Sequence, residues 1–231
     1  MRGKTTFVAW NSMSIPDTII RCLYRTSVAA GFFLLSLPAL HGQTPAAGET
    51  LVLIRHGEKP AGGLGQLSCK GLNRALALPS VLVSRYGRPD FLFAPDPSRR
   101  VRDGKVLPTY YYVRPLETIE PTAILLGMPV NTQIGSDRIR QLQKTLVQPA
   151  YAHSLIFAAW EHNMLYLFAE LMMRSYGNTP MHLPAWAGND YETVYVFHIT
   201  RSGKNNAPRA TMEIQKEGLS NLLSDACPGP Q

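Results

Sequence analysis

Two apolar runs in this chain end in a histidine, and that pairing constrains the fold more than any other feature. Residues 51–54 (Leu-Val-Leu-Ile) run into Arg55-His56-Gly57-Glu58, and residues 154–160 run into Glu161-His162. Neither run alternates apolar with polar residues. Each therefore reads as a strand covered on both faces, as in a parallel sheet flanked by helices. Ligands bind such sheets at the carboxyl edge of the strands, so the two histidines are expected to converge there.

The rest of the pattern alternates strands with helices. Ser68 is placed to cap a helix that reaches about Tyr86, with Leu72, Leu76, Leu82 and Tyr86 at roughly helical spacing and Pro79 as a candidate kink. Residues 91–93 form a short strand, followed by a Pro-, Asp- and Arg-rich loop over 94–108. A helix over 114–126 contains Pro121. Residues 163–176 continue the second histidine run as a strongly apolar helix. The segments 192–200 and 209–215 alternate as sheet strands, with Lys204-Asn205-Asn206 turning between them. This alternation predicts a three-layer α/β/α sandwich with a mostly parallel central sheet in a single domain. A chain of 231 residues, 45% hydrophobic, suffices for one well-filled domain, and no repeat or linker marks a second.

Residues 28–40, VAAGFFLLSLPAL, carry no charge, follow Arg21 and Arg25, and precede the small and turn-prone HGQTPAAGE. A short apolar core behind a basic stretch is the pattern of an export signal, and this one is too short to cross a bilayer comfortably. The expected organisation is a signal peptide over 1–42, with Met13 as an alternative start, and a globular domain over 43–231. Cleavage after Ala46 or Ala47, an uncleaved anchor and a buried N-terminal helix are the alternatives. The expected location is periplasmic or secreted, with the membrane met only through the export signal. Cleavage after Gly42 removes Arg2, Lys4, Arg21, Arg25 and Asp17, and the net charge falls from +7 to +4. Cys22 leaves as well. Cys69 and Cys227 remain as a pair that an oxidising compartment allows to bridge, with two free thiols as the alternative. The bridge would tie the C-terminal tail to the start of the first helix.

Two strand-end histidines with arginines nearby suit phosphoryl transfer. A neutral, aimed imidazole can attack phosphorus, and guanidinium forks match phosphate oxygens in two-point contacts. Phosphoryl transfer needs charge neutralisation and in-line positioning more than covalent machinery.

The local sequence resembles the histidine phosphatase superfamily, in its phosphoglycerate-mutase-like branch. The segment Leu51-Val52-Leu53-Ile54-Arg55-His56-Gly57-Glu58 is similar to its strand-plus-Arg-His-Gly signature. Leu67-Ser68-Cys69-Lys70-Gly71-Leu72-Asn73-Arg74-Ala75 is similar to its helix start. Arg114-Pro115-Leu116-Glu117-Thr118, with the exit Leu126-Gly127-Met128-Pro129, resembles its second-arginine helix, and a strand running into His162 completes the order. The resemblance implies that His56 becomes phosphorylated during turnover and that Arg55, Arg114 and His162 complete the phosphate pocket.

This chain departs from the pattern in two places. The superfamily's compact Ser-Pro-x-x-Arg is reduced to Ala94-Pro95, with an insertion before Arg114, so that Arg99 and Arg100 compete with Arg114; the helix behind Arg114 favours it. Where the superfamily often reads Ser-His-Gly, this chain reads Trp160-Glu161-His162-Asn163. Glu161 is therefore the first candidate for the general acid, because burial near another anion raises a carboxyl pKa. Glu58 is the alternative acid and Asp137 a third. Trp160 is read as packing before pocket lining.

His56 and Glu58 form His-x-Glu, but no second ligand pair has metal-site spacing, so neither a metal nor another cofactor is expected. Tyr110-Tyr111-Tyr112 beside Arg99, Arg100 and Arg102 is a pattern that can stack on bases. An insertion folded over a phosphate site explains it more economically, and no nucleic-acid partner is expected. Pro184 to Asp190 reads as a loop at the pocket rim. The expected activity is an exported, metal-independent phosphatase that hydrolyses a phosphomonoester or a phosphorylated protein through phosphohistidine. The alternative is a non-catalytic protein that binds a phosphoryl ligand on the same fold.

Overall fold

A computed structural model describes residues 48–102, 109–177, 182–202 and 205–229. The leader at 28–40 and the turn residue Lys204 lie outside them. Strands β1 (Glu49–Arg55), β2 (Phe91–Pro95), β5 (Val130–Ile134), β6 (Leu155–Trp160), β7 (Thr193–Ser202) and β8 (Ala207–Lys216) form one sheet in the order β5-β2-β6-β1-β7-β8. Its first four strands are parallel, while β7 and β8 pair antiparallel at one edge. A separate ribbon joins β3 (Arg100–Val101) to β4 (Tyr110–Tyr111).

The unbroken apolar run of β1 follows from its place inside the sheet. Leu51 and Leu53 face helices α3 (Ile139–Leu146) and α4 (His162–Tyr176) in one core, with Ile139, Leu142, Leu165 and Phe168. Val52 and Ile54 face α1 (Cys69–Tyr86) and α2 (Arg114–Leu126) in the other, against Leu78, Leu82, Ile119 and Ala123. All four β1 residues are fully buried, each worth about 1.5–3 kcal/mol of transfer free energy. Helices on both faces of a mostly parallel sheet make the three-layer sandwich, in one domain.

Helices α1 and α2 start where the sequence places them. Ser68 caps α1 by accepting from Gly71 N, and Pro115 occupies the first turn of α2, where its missing N–H costs nothing. Pro79 and Pro121 sit inside their helices without ending them; Pro79 is buried in the packed face. The fourth helix begins at His162, one residue earlier than its apolar run suggests, because Glu161 caps it by accepting from Met164 N at 3.0 Å. The sequence reading missed β5, half-exposed with its polar centre, and α3, whose single apolar stripe is short. Among the described residues, no helix is long and apolar enough to cross a membrane.

Candidate active site

The parallel register of β1 and β6 brings the two histidines together. Arg55 pairs with Trp160, and His56 N donates to Trp160 O at 2.9 Å, so both strands end level. There Arg55, His56, Arg114, Glu161 and His162 line one cavity of about 440 Å³.

Backbone packing holds His56 in place. Gly57 N donates to Thr118 Oγ1 at 2.9 Å, and Thr118 in turn donates to the Arg114 carbonyl at 2.8 Å, which ties the residue after His56 to the first turn of α2. On its other side α1 approaches until a methyl group on Gly71 would lie 2.2 Å from the Glu58 carbonyl oxygen. Only glycine fits that contact.

His56 Nδ1 lies 2.7 Å from the Gly57 carbonyl oxygen. A carbonyl only accepts, so Nδ1 carries the proton and the lone pair sits on Nε2. Burial first, and then the Arg114 charge, lower the His56 pKa to about 3. The ring is therefore neutral at ordinary pH, the state a nucleophile requires.

The arginines are held from outside the cavity. Arg55 Nη1 donates to the Asp190 carbonyl at 2.7 Å, and its guanidinium stacks 3.8 Å above the Tyr191 ring centre. Asp190 is braced by Thr193 and Lys216. Arg114 Nη1 donates to the Gly63 carbonyl at 3.0 Å. Arg99 instead faces Asp96, and Arg100 bonds Thr109, so neither competitor lines the cavity.

The carboxylates divide. Glu161 reaches the cavity, with Oε1 2.6 Å from His162 Nδ1. Its pKa runs opposite to the expected direction. Burial works to raise it, but His162 and the N–H groups of Asn163 and Met164 outweigh burial and hold it at about 2. Glu161 is an ionised helix cap. Both oxygens of Glu58 bond Arg74, at 2.8 and 3.0 Å, within a cluster that includes Glu192 and the buried Glu217. Asp137 stands at the rim, with 68% of its side chain exposed. Trp160 is fully buried and donates to the Ser136 carbonyl at 2.8 Å, a packing role.

Three features escaped the sequence reading: the Asp190–Tyr191 clamp on Arg55, the Arg74 cluster, and Tyr112 in the cavity wall. Arg74 lies one helical turn after Gly71 on the buried face of α1, and that spacing is its local signal in the sequence. A disulfide joins Cys69 to Cys227. Among the described residues, no three His, Cys, Asp or Glu side chains are grouped to hold a metal ion.

No family model matches the chain, and no curated protein matches it by sequence. Solved structures are similar to it. A chain described as mycobacterial hydrolase 1 shares 12% identity over 73% of this chain and 98% of its own, with a TM-score of 0.46. SixA from Nakamurella multipartitia, named as a phosphohistidine phosphatase, shares 16% over 74% and 98%, with a TM-score of 0.45. A mycobacterial glucosyl-3-phosphoglycerate phosphatase shares 12% over 72% and 98%, with a TM-score of 0.37. Two of these three structures carry the name of a phosphatase.

Proposed function

We propose that the protein is a phosphatase that hydrolyses a phosphomonoester, or dephosphorylates a phosphorylated protein, through a phosphohistidine at His56. The observation that carries this reading is the neutral His56 ring with its free lone pair on Nε2, set between two arginines at one cavity. Arg55, Arg114 and His162 hold the phosphoryl oxygens. Nε2 attacks phosphorus in line as the bond to the leaving oxygen breaks, and the leaving oxygen takes a proton. Water then attacks the phosphohistidine, which releases inorganic phosphate and restores the ring.

The ionised Glu161 changes how the proton is supplied. His162 hands it to the leaving oxygen, and Glu161, 2.6 Å from its Nδ1, orients the ring and balances its charge. Two guanidinium groups supply the charge neutralisation that phosphoryl transfer needs, which supports hydrolysis without an added metal. The apolar leader and the bridged cysteine pair support export to an oxidising compartment.

The decisive experiment assays the protein with an aryl phosphate and a chelator, beside His56→Ala. Activity that ignores the chelator and disappears in the variant supports the reading, and equal activity in the variant ends it. The Glu161 carboxyl, held ionised at about 2, favours a second reading, phosphoryl binding without turnover. That reading predicts phosphate binding and no hydrolysis in the same samples.

A further inference from the structure

Tyr112 stands two residues before Arg114 and lines the cavity that holds His56. Its side chain is only 2% exposed, and its ring meets His56 edge-on, with centroids 6.0 Å apart at 88°. The phenol oxygen is buried; Arg114 donates toward it, and no described residue accepts its proton. Buried hydroxyls almost always find partners, so this one calls for an explanation.

Its neighbours supply none. The Arg114 guanidinium lies over the ring, 4.9 Å from the centroid. An arginine only donates, so it cannot accept the phenol's proton. Glu161 acts on the phenol through its charge without bonding it. Burial pushes the phenol's pKa far above its ordinary value, with Arg114 working against it, so the proton stays on the oxygen. What remains is a neutral O–H donor without an acceptor, in the wall of a cavity lined by Arg55, Arg114 and His162.

We infer that Tyr112 completes the phosphate site, its hydroxyl donating a hydrogen bond to a non-bridging oxygen of the phosphoryl group held against His56. This inference rests on the phosphoryl reading above and adds to it a neutral donor. As charge gathers on the phosphoryl oxygens during attack, a donor already fixed in the cavity wall stabilises it without reorganising. On this inference the acceptor that the hydroxyl lacks among the described residues is an oxygen of the substrate's phosphoryl group.

The test is Tyr112→Phe, which keeps the ring and removes the hydroxyl. Affinity for inorganic phosphate is read by calorimetry, kcat/KM with an aryl phosphate, and stability by the urea midpoint. Phosphate affinity and kcat/KM are expected to fall about 10- to 100-fold, with the urea midpoint unchanged or raised. A merely structural hydroxyl would give the reverse, a lowered midpoint with phosphate affinity intact, and that result overturns the inference. Unchanged affinity at unchanged stability overturns it as well. A wild-type protein that binds phosphate but hydrolyses nothing ends the phosphatase reading alone, because the affinity of the variant still decides for Tyr112. A wild-type protein that binds no phosphate overturns both.

Discussion

His56 donates its Nδ1 proton to the carbonyl oxygen of its own neighbour, Gly57, at 2.7 Å, and this short backbone contact sets the chemistry of the cavity. Reversing the tautomer would face two lone pairs toward each other. The free lone pair that the proposed phosphoryl transfer would use is thus placed on Nε2 by the turn that ends β1.

The first prediction concerns this ring. With a pKa lowered to about 3, His56 is expected to stay neutral and Nδ1-protonated across about pH 5 to 8, where an ordinary histidine titrates. Nitrogen chemical shifts of the imidazole, assigned through His56→Ala, report both the tautomer and the titration. A midpoint near 6.5 would mean that burial and Arg114 do not govern the ring. The same depression has a sign for stability. The unfolded chain gains a proton below about 6.5 that the folded ring refuses, so His56 contributes a loss of stability as pH falls from there toward about 3.

The contact between α1 and the His56 loop gives the second. Gly71→Ala places its methyl group 2.2 Å from the Glu58 carbonyl, against backbone on both sides. The helix must back away, at roughly 1–3 kcal/mol, and the loop carrying His56 moves with it. Expected are a lower urea midpoint and a drop in phosphatase activity of at least about tenfold. Full activity in a destabilised variant would show that the helix position does not aim His56.

Much of this arrangement was legible in the chain, for identifiable reasons. Strand β1 shows itself because burial on both faces forbids polar residues, and the helix starts show themselves because Ser68 and Pro115 are local signals. Convergence of His56 with His162 follows from the parallel sheet. What stayed hidden depends on distant contacts. Asp190 and Tyr191 reach Arg55 across 135 residues of sequence in the case of the Asp190 bond, and Arg74 gathers Glu58, Glu192 and Glu217 from three separate segments. The direction of the Glu161 shift has a local cause instead: His162 and the N–H groups of Asn163 and Met164 follow it directly in sequence, and they converge on its carboxylate only once the helix that it caps has formed.

The Tyr191 ring supports the third prediction. It stacks under Arg55 at 3.8 Å, a cation–π contact on the order of 0.5–2 kcal/mol. Tyr191→Ala frees the guanidinium, and affinity for inorganic phosphate is expected to fall roughly 3- to 30-fold, while Tyr191→Phe retains most of it. Equal loss in both variants would move the role from the ring to the hydroxyl.

Glu217 supplies the fourth. Burial pushes its carboxyl up to about 8, against the pull of Arg74. The folded protein keeps a proton that the unfolded chain releases near 4.5, so this contribution to stability is full below about 4.5 and is lost as pH rises toward about 8. Glu217→Gln holds the same shape without titrating. It is expected to flatten that fall in the urea midpoint, and an unchanged slope would remove Glu217 as its source.

The tail that carries Glu217 is also where the disulfide acts. Cys227 is joined to Cys69 at the first residue of α1, closing a sequence separation of 158 residues. Beside the bridge, Asn73 bonds the Ser224 and Ala226 carbonyls, and Lys70 faces Asp225. Ser220, between Glu217 and the bridge, bonds both Arg74 and Glu192. The bridge thus fastens a tail that braces Arg74, and Arg74 braces Glu58, two residues after His56. A Cys69→Ser, Cys227→Ser double variant is expected to lose about 2–5 kcal/mol, read as a lower urea midpoint that matches the wild type under reductant. Non-reducing peptide mass spectrometry of the wild type should contain the Cys69–Cys227 peptide. Identical midpoints for the variant and the oxidised wild type would show that the tail's own hydrogen bonds hold it in place unaided.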